Sequence, residues 1–250
     1  MTLLEIRTEI RGTLDDDIGA TASQQIWSDV ELNGYINEAE DVFCREIPLL
    51  IDSSTAQDAD SIPLCQIATV AGTQNYAISD RIVEIRRVKI VGQANTLDKA
   101  DVPLMDGIDS YWDDTAAANR KTPTRYLLDK ETGKITLVRC PDAVYTVNMI
   151  VQRLPLAQMA ANDDVPEINS RVHRLLFTYI LHKAYMKRDV EAYSERKASD
   201  YMRLHLVDLE KARVETVRQT TSNRVVGIGR AYQSRNRGMI SNGRIYYSQV

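Results

Sequence analysis

Two hydrophobic periods divide this chain. From Ile26 to Pro48 the apolar residues recur at helical spacing, with Leu32, Tyr35, Ile36, Ala39, Val42 and Phe43 on one stripe. The start of this helix is specified locally. Ser28 and Glu31 have the spacing of a capping box, in which the hydroxyl accepts from the Glu31 amide and the Glu31 carboxylate accepts from the Ser28 amide. Trp27 just before the cap and Leu32 at the fourth helical position have the spacing of a hydrophobic staple. Pro48 stops the run. A shorter helix is predicted over Thr2–Leu14, with Thr2 and Glu5 as a second capping box and Leu3, Ile6, Ile10 and Leu14 on one face. Between the two helices, Asp15, Asp16 and Asp17 read as a solvated loop and Thr21–Gln25 as polar linker. The aspartates lack the alternation, the glycine and the terminal glutamate of an EF-hand loop.

After a polar stretch, Asp52–Ser61, the period changes to two. Strands are predicted over 65–70, 75–78, 82–91, 125–128, 134–139 and 145–152, and Pro63 marks the entry as an edge position. In the third of these strands the Arg86–Arg87 pair breaks the alternation, which predicts a bulge. Asp129–Gly133 reads as a hairpin loop. Short antiparallel strands at this density point to a sandwich or barrel. The stretch 103–119 interrupts them as a short helix or excursion, with Tyr111 and Trp112 as anchors.

Helical spacing then returns. Leu154–Pro155 ends the β region and 157–169 reads as linker. Over Ser170–Arg188, Val172, Leu175, Leu176, Tyr179, Ile180 and Ala184 share one face, with Phe177 and Leu181 on another. So wide an apolar surface predicts partners on two sides. Asp189 can cap a following charged helix over 190–217, whose broken stripe is Ala198, Tyr201, Leu204, Leu206 and Leu209. The pattern as a whole predicts an α+β fold. Residues 1–51 and 157–217 build one helical domain, 52–156 form an inserted antiparallel β-sandwich or barrel-like domain, and 218–250 form an extended arm.

Charge sharpens this division. The net charge of −4 conceals a tail, 218–250, with six Arg and no acidic residue, leaving −10 on the rest. An acidic body with a basic arm fits docking on an acidic surface better than general nucleic-acid binding, which places the basic patch on the folded surface. The arm is rich in Gly, Ser and Asn and cannot bury a core of its own. Its apolar and aromatic residues nonetheless exceed what a solubilising tail needs. The candidate docking residues are Arg224, Val225, Val226, Ile228, Arg230, Tyr232, Arg235, Arg237, Ile240, Arg244, Ile245, Tyr246 and Tyr247. The alternative use of the same residues is stacking on single-stranded nucleic acid through the Arg and Tyr side chains.

Catalytic chemistry finds little support. Cys44, Cys65 and Cys140 are widely spaced, outside any CxxC pair, and read as free thiols. His173 and His182 are not an i, i+4 metal pair, and with His205 they read as partly exposed helix residues. Gly227–Ile228–Gly229 lacks the third glycine and the preceding strand of a phosphate cradle, and Asp113–Asp114 and Asp163–Asp164 read as solvated. No pattern implies a cofactor or metal. No apolar run approaches the ~20 residues of a membrane span, and no signal peptide is visible.

The segment WSDVELNGYINEAED, Tyr76–Ala77–Ile78 leading into IVEIRRVKI, PTRYLLD with GKITLVRCPDAVYTVNMIVQRLP, and the helix VHRLLFTYILHKAYMKRD resemble the head-to-tail adaptors of tailed bacteriophages. The likeness is to the tail-accessory, or tail-tubular-A, type of short-tailed phages and covers about residues 1–215. The resemblance implies a virion protein with no enzymatic activity. It would form a homo-oligomeric ring, commonly of twelve copies, bound under the portal and joined to a downstream tail or nozzle protein. Packaged DNA would pass through its channel without specific binding. In that reading the helical domain, with Trp27, Ser28, Glu31, Leu32, Tyr35, Ile36, Val172, Leu176 and Tyr179, is the framework of the ring wall, and the arm reaches the portal.

Overall fold

Both capping boxes form. In a computed structural model that describes residues 1–16, 25–188, 193–220, 239–241 and 244–246, Thr2 caps α1 (Leu3–Leu14) and Ser28 caps α2 (Asp29–Glu46). Each hydroxyl accepts from the glutamate amide at 3.2 Å, and each glutamate accepts from the cap amide at 2.9 Å. Trp27 and Leu32 are both buried in the same core, as the staple spacing requires. The architecture is α+β. Two further helices, α4 (Leu176–Tyr185) and α5 (Glu195–Thr220), join α1 and α2 from the other end of the chain. Short strands and one short helix, α3 (Val102–Ile108), lie between the two pairs.

The four long helices share one hydrophobic core. It contains Leu3, Ile6 and Ile10 of α1, Leu32, Ile36, Ala39 and Phe43 of α2, Leu176, Ile180 and Ala184 of α4, and Ala198 and Ala212 of α5. Polar contacts lace α2 to α4. The Trp27 indole donates to the Ala184 carbonyl at 3.1 Å, and Lys183 and the Tyr179 hydroxyl both donate to Glu38, at 2.9 and 2.8 Å. The fourth helix is shorter than its apolar pattern predicts. Residues 173–175 wind as a 3-10 turn, with the His173 ring held by the Ile168 carbonyl at 3.0 Å and the Met1 amino group at 3.1 Å. The wide apolar surface of α4 is covered within the chain, because α1, α2 and α5 all pack on it. Leu181 is only 5% exposed. Partners on two sides are therefore present, and those described lie within the chain itself. The next helix starts at Glu195; the expected cap, Asp189, lies outside the described residues.

The stretch 157–169 is also more than a linker. Leu3 and Leu4 donate to the carbonyls of Asp164 and Asn162 at 2.7 and 3.1 Å, and Asn37 exchanges two hydrogen bonds with the Met159 backbone. It fills a role a free loop does not, satisfying orphan amides at the start of α1.

The six strands expected from the alternation all form, as β2 (Gln66–Ala68), β3 (Asn75–Ala77), β4 (Ile82–Ile90), β6 (Arg125–Leu127), β7 (Lys134–Val138) and β8 (Thr146–Arg153). Two-residue strands β1 (Ile51–Asp52) and β5 (Asp98–Lys99) are additional. They make two four-stranded sheets, neither closed into a barrel. In one, β8 is central and pairs with β1, β2 and β4; the other runs β3-β7-β6-β5, with β5 parallel to β6. A register shift falls between Ile85 and Arg87, at the arginine pair that breaks the alternation. Ile85, Val88, Val147, Met149 and Val151 of the first sheet meet Tyr126, Ile135 and Leu137 of the second in one core. The opposite face of the second sheet, through Leu127 and Val138, is covered by Met105 of α3 and by Trp112. Trp112 anchors the excursion, donating to Asp106 at 2.8 Å, whereas Tyr111 is exposed.

Gln152 and Arg153 at the end of β8 tie the sheets to the helices. The Gln152 amide donates to the Cys44 carbonyl of α2 at 3.0 Å, and Arg153 pairs with Asp52 at 2.9 Å and with Glu167. Where a flexible arm is expected, the two last described segments, β9 (Met239–Ser241) and β10 (Arg244–Tyr246), pair as an antiparallel hairpin.

Candidate docking surface

Among the described residues, helix α5 carries several exposed apolar side chains on its outward side. Its inner side buries Ala198, His205 and Ala212, with Tyr201 and Leu209 packed on the same core. Leu204 and Leu206 both fit a broken core stripe in the sequence, yet they stand two residues, about 200°, apart on a helix and cannot share a face. Both face outward, 50% and 56% exposed, on either flank of Val207 and Val214, which are seven residues apart. Leu206, Val207, Glu210, Lys211, Val214 and Glu215 lie together along a shallow, open part of this side. The outward side of α5 thus mixes these apolar residues with Glu210, Lys211 and Glu215.

Of the arm residues expected to dock, Ile240, Arg244, Ile245 and Tyr246 fall in the terminal hairpin, where Ile240 pairs with Ile245 and Met239 with Tyr246. Arg224, Val225, Val226, Ile228, Arg230, Tyr232, Arg235, Arg237 and Tyr247 lie outside the described residues. Trp27, Leu32, Ile36, Val172 and Leu176 are buried in the helical core, and Tyr35 and Tyr179 pack at its border.

The buried ionisable groups are structural. Arg11 is 4% exposed and pairs with Asp16, which is equally buried, so the aspartate expected to be solvated is instead a core ion pair. The same guanidinium donates to the Trp27 carbonyl at 2.7 Å and to Asp29 at 2.8 Å, and the Asp16 carboxylate accepts from the Ile26 amide at 3.0 Å. Asp17 lies outside the described residues. His173 and His205 are buried rather than partly exposed. His205 packs edge-on against Phe43, with ring centres 5.2 Å apart. Burial pushes the Glu40 carboxyl up to about 7, with the Glu167 charge adding to the effect against the hydrogen bond from Ile168. Burial likewise raises the Cys44 thiol and pushes Cys65 up to about 11, away from the reactive thiolate range. All three cysteines are buried and free. Among the described residues no three His, Cys, Asp or Glu side chains gather where they could hold a metal ion, and no helix is long and apolar enough to cross a membrane.

Among the described residues, the outward side of α5 carries exposed apolar side chains, and the chain continues from this helix into its arginine-rich last segment. Residues 1–226 match the family model of the SU10 adaptor protein, and the chain belongs to that family of phage virion adaptors. No curated protein matches the chain.

Proposed function

We propose that the protein is a structural adaptor at the head-tail junction, of the tail-accessory type of short-tailed phages. It assembles as a ring, commonly of twelve copies, attaches to the portal through its C-terminal arm, and holds a downstream tail or nozzle component. Its domains are the helical one built from 1–51 and 157–217, the inserted β domain 52–156, and the arm. The observation that carries this reading is the family match over 1–226. The charge division supports it: a body of net −10 can line a channel that DNA passes without sticking, while six arginines are held apart on the arm.

Because α5 runs to Thr220, deletion of 221–250 removes all of the arm beyond the helix, with five of its six arginines, and leaves the helix intact. The truncated protein keeps the thermal stability of the body and loses affinity for isolated portal rings of the same virus, measured by co-sedimentation. Full-strength portal binding by the truncated protein would remove the arm from the account. Steeply salt-dependent binding of single-stranded DNA by the full chain, absent from the truncation, would instead assign the arm to nucleic acid.

A further inference from the structure

We propose that the half of α5 from His205 onward is a latch, which undocks from the helical core when His205 is protonated while α1, α2 and α4 stay folded. A helix is normally held by the apolar stripe it buries, and the buried seam of α5 is small and polar. Ala198, His205 and Ala212, seven residues apart, and Asp208 are its buried residues, with Tyr201 and Leu209 partly buried beside them. The aliphatic residues Leu204, Leu206, Val207 and Val214 are exposed instead. The two halves of the helix differ in what holds them. Before His205, the Tyr201 ring stacks on Tyr185 with ring centres 5.7 Å apart, and the Lys197 ammonium lies 4.8 Å from the centre of the same ring. After His205, Ala212 is the one buried apolar residue among those described, with Leu209 at the border. A recess bounded by Leu49, Val172, Ala212 and Thr216 lies along this half. The Arg171–Glu215 pair that spans to it is exposed and 3.7 Å apart, a contact that contributes little.

His205 is the place where protonation acts on this seam. Its ring is 2% exposed and packs against Phe43 of α2 and Tyr179 of α4, with ring centres 5.2 and 5.1 Å away. Among the described residues its Nδ1 is buried without a hydrogen-bond partner. The titratable groups facing it are His182 of α4, Asp208 of α5 and Glu46 of α2, and none forms a hydrogen bond or ion pair with the ring. Asp208 is engaged by Lys211 at 2.8 Å, and the His182 Nδ1 donates to the Ala198 carbonyl at 2.8 Å. Glu38, which accepts from the Tyr179 hydroxyl, is paired with Lys183. Charging the ring in place would bury a cation without a bonded anion. A ring released to water takes the proton without that cost, and burial accordingly holds His205 below its ordinary 6.5. Acid therefore favours the released form, a local opening of one weakly packed element. The chain runs on from this half of α5 into the arm, so release moves the root of the arm away from the body.

The test is hydrogen exchange of the full chain at pH 7.5 and pH 5.0, read by mass spectrometry, with labelling times scaled for the intrinsic pH dependence of exchange. After scaling, amides of 206–217 are expected to exchange several-fold faster at pH 5.0, with 3–14, 29–46 and 176–185 unchanged. His205→Leu is expected to abolish the difference. His205→Gln, which keeps the seam polar but does not titrate, is expected to abolish it too. Far-UV circular dichroism checks that each variant is folded. Exchange over 206–217 that ignores pH, or that rises together with 29–46, overturns the proposal. A pH response that survives either substitution in a folded variant also overturns it.

Discussion

The Glu40 carboxylate accepts a hydrogen bond from the Ile168 amide at 3.2 Å, inside the protein, where the chain passes from the β sheets back to the helices. Its folded pKa, about 7, stands above the ordinary carboxyl value of 4.5. The folded state therefore binds more protons than the unfolded one between these values. Stability is full below about pH 4.5 as far as this group is concerned, falls as pH rises to 7, and is level above it. The Glu167 and Asp41 charges add to the upward shift. Glu40→Gln keeps an acceptor for Ile168 and removes the titration. We expect it to raise stability at pH 8 by about 1–3 kcal/mol and to have little effect at pH 4.5. Urea unfolding at the two pH values checks this; a pH-independent difference between the proteins would contradict it.

His205 titrates in the opposite sense. Burial lowers its pKa below 6.5, with His182 adding to this and Asp208 and Glu46 opposing it. The unfolded chain takes up the proton more readily, so this residue subtracts stability as pH falls below 6.5. Among the described residues its Nδ1 has no hydrogen-bond partner. His205→Leu is expected to stabilise the protein by about 1 kcal/mol at pH 7, because a buried unpaired nitrogen is removed, and by more at pH 5. Loss of stability at both pH values would show that the ring contacts with Phe43 and Tyr179 outweigh the unpaired atom.

Much of this fold was legible because its determinants are local. Thr2 with Glu5, Ser28 with Glu31, the alternation in β4 and the arginine pair at its bulge each specify structure within a few residues. What escaped depends on contacts far apart in sequence. Asp16 looks solvated until Arg11 folds over it. Strands β1 and β5, two residues each, are too short to show a period and exist because β8 and β6 run beside them. The apolar surface of α4 was visible, but periodicity identifies a face without saying what covers it, and the rest of the chain covers that one. The candidate docking face on α5 was hidden by the same limit, since Leu204 and Leu206 counted as core. The basic arm was plain from charge alone.

The Arg11–Asp16 pair gives a third prediction. Arg11→Ala leaves Asp16 buried without its cation and the Trp27 carbonyl without this donor, while Asp29 keeps Arg7 at 3.4 Å, at a cost of about 3–5 kcal/mol. Asp16→Asn keeps an acceptor for the Ile26 amide and is expected to cost less. Thermal unfolding of the two variants checks the order; equal stability of Arg11→Ala and wild type would mean that the ion pair does not hold the 11–29 segment.

Glycine 133 supplies a fourth. Gly133 closes the β6–β7 hairpin with φ +72 and nothing within 4 Å of an added Cβ. Gly133→Ala is therefore expected to cost about 1 kcal/mol through backbone conformation alone, and Gly133→Asn less. Equal stability of all three proteins in urea would refute the turn's dependence on a left-handed residue.

The most direct measurement is native mass spectrometry of the full chain alone and with portal rings of the same virus. The account predicts one discrete complex in which many copies of the chain add to a single portal ring. A chain that leaves the portal mass unchanged, and shifts only on addition of DNA, would contradict it.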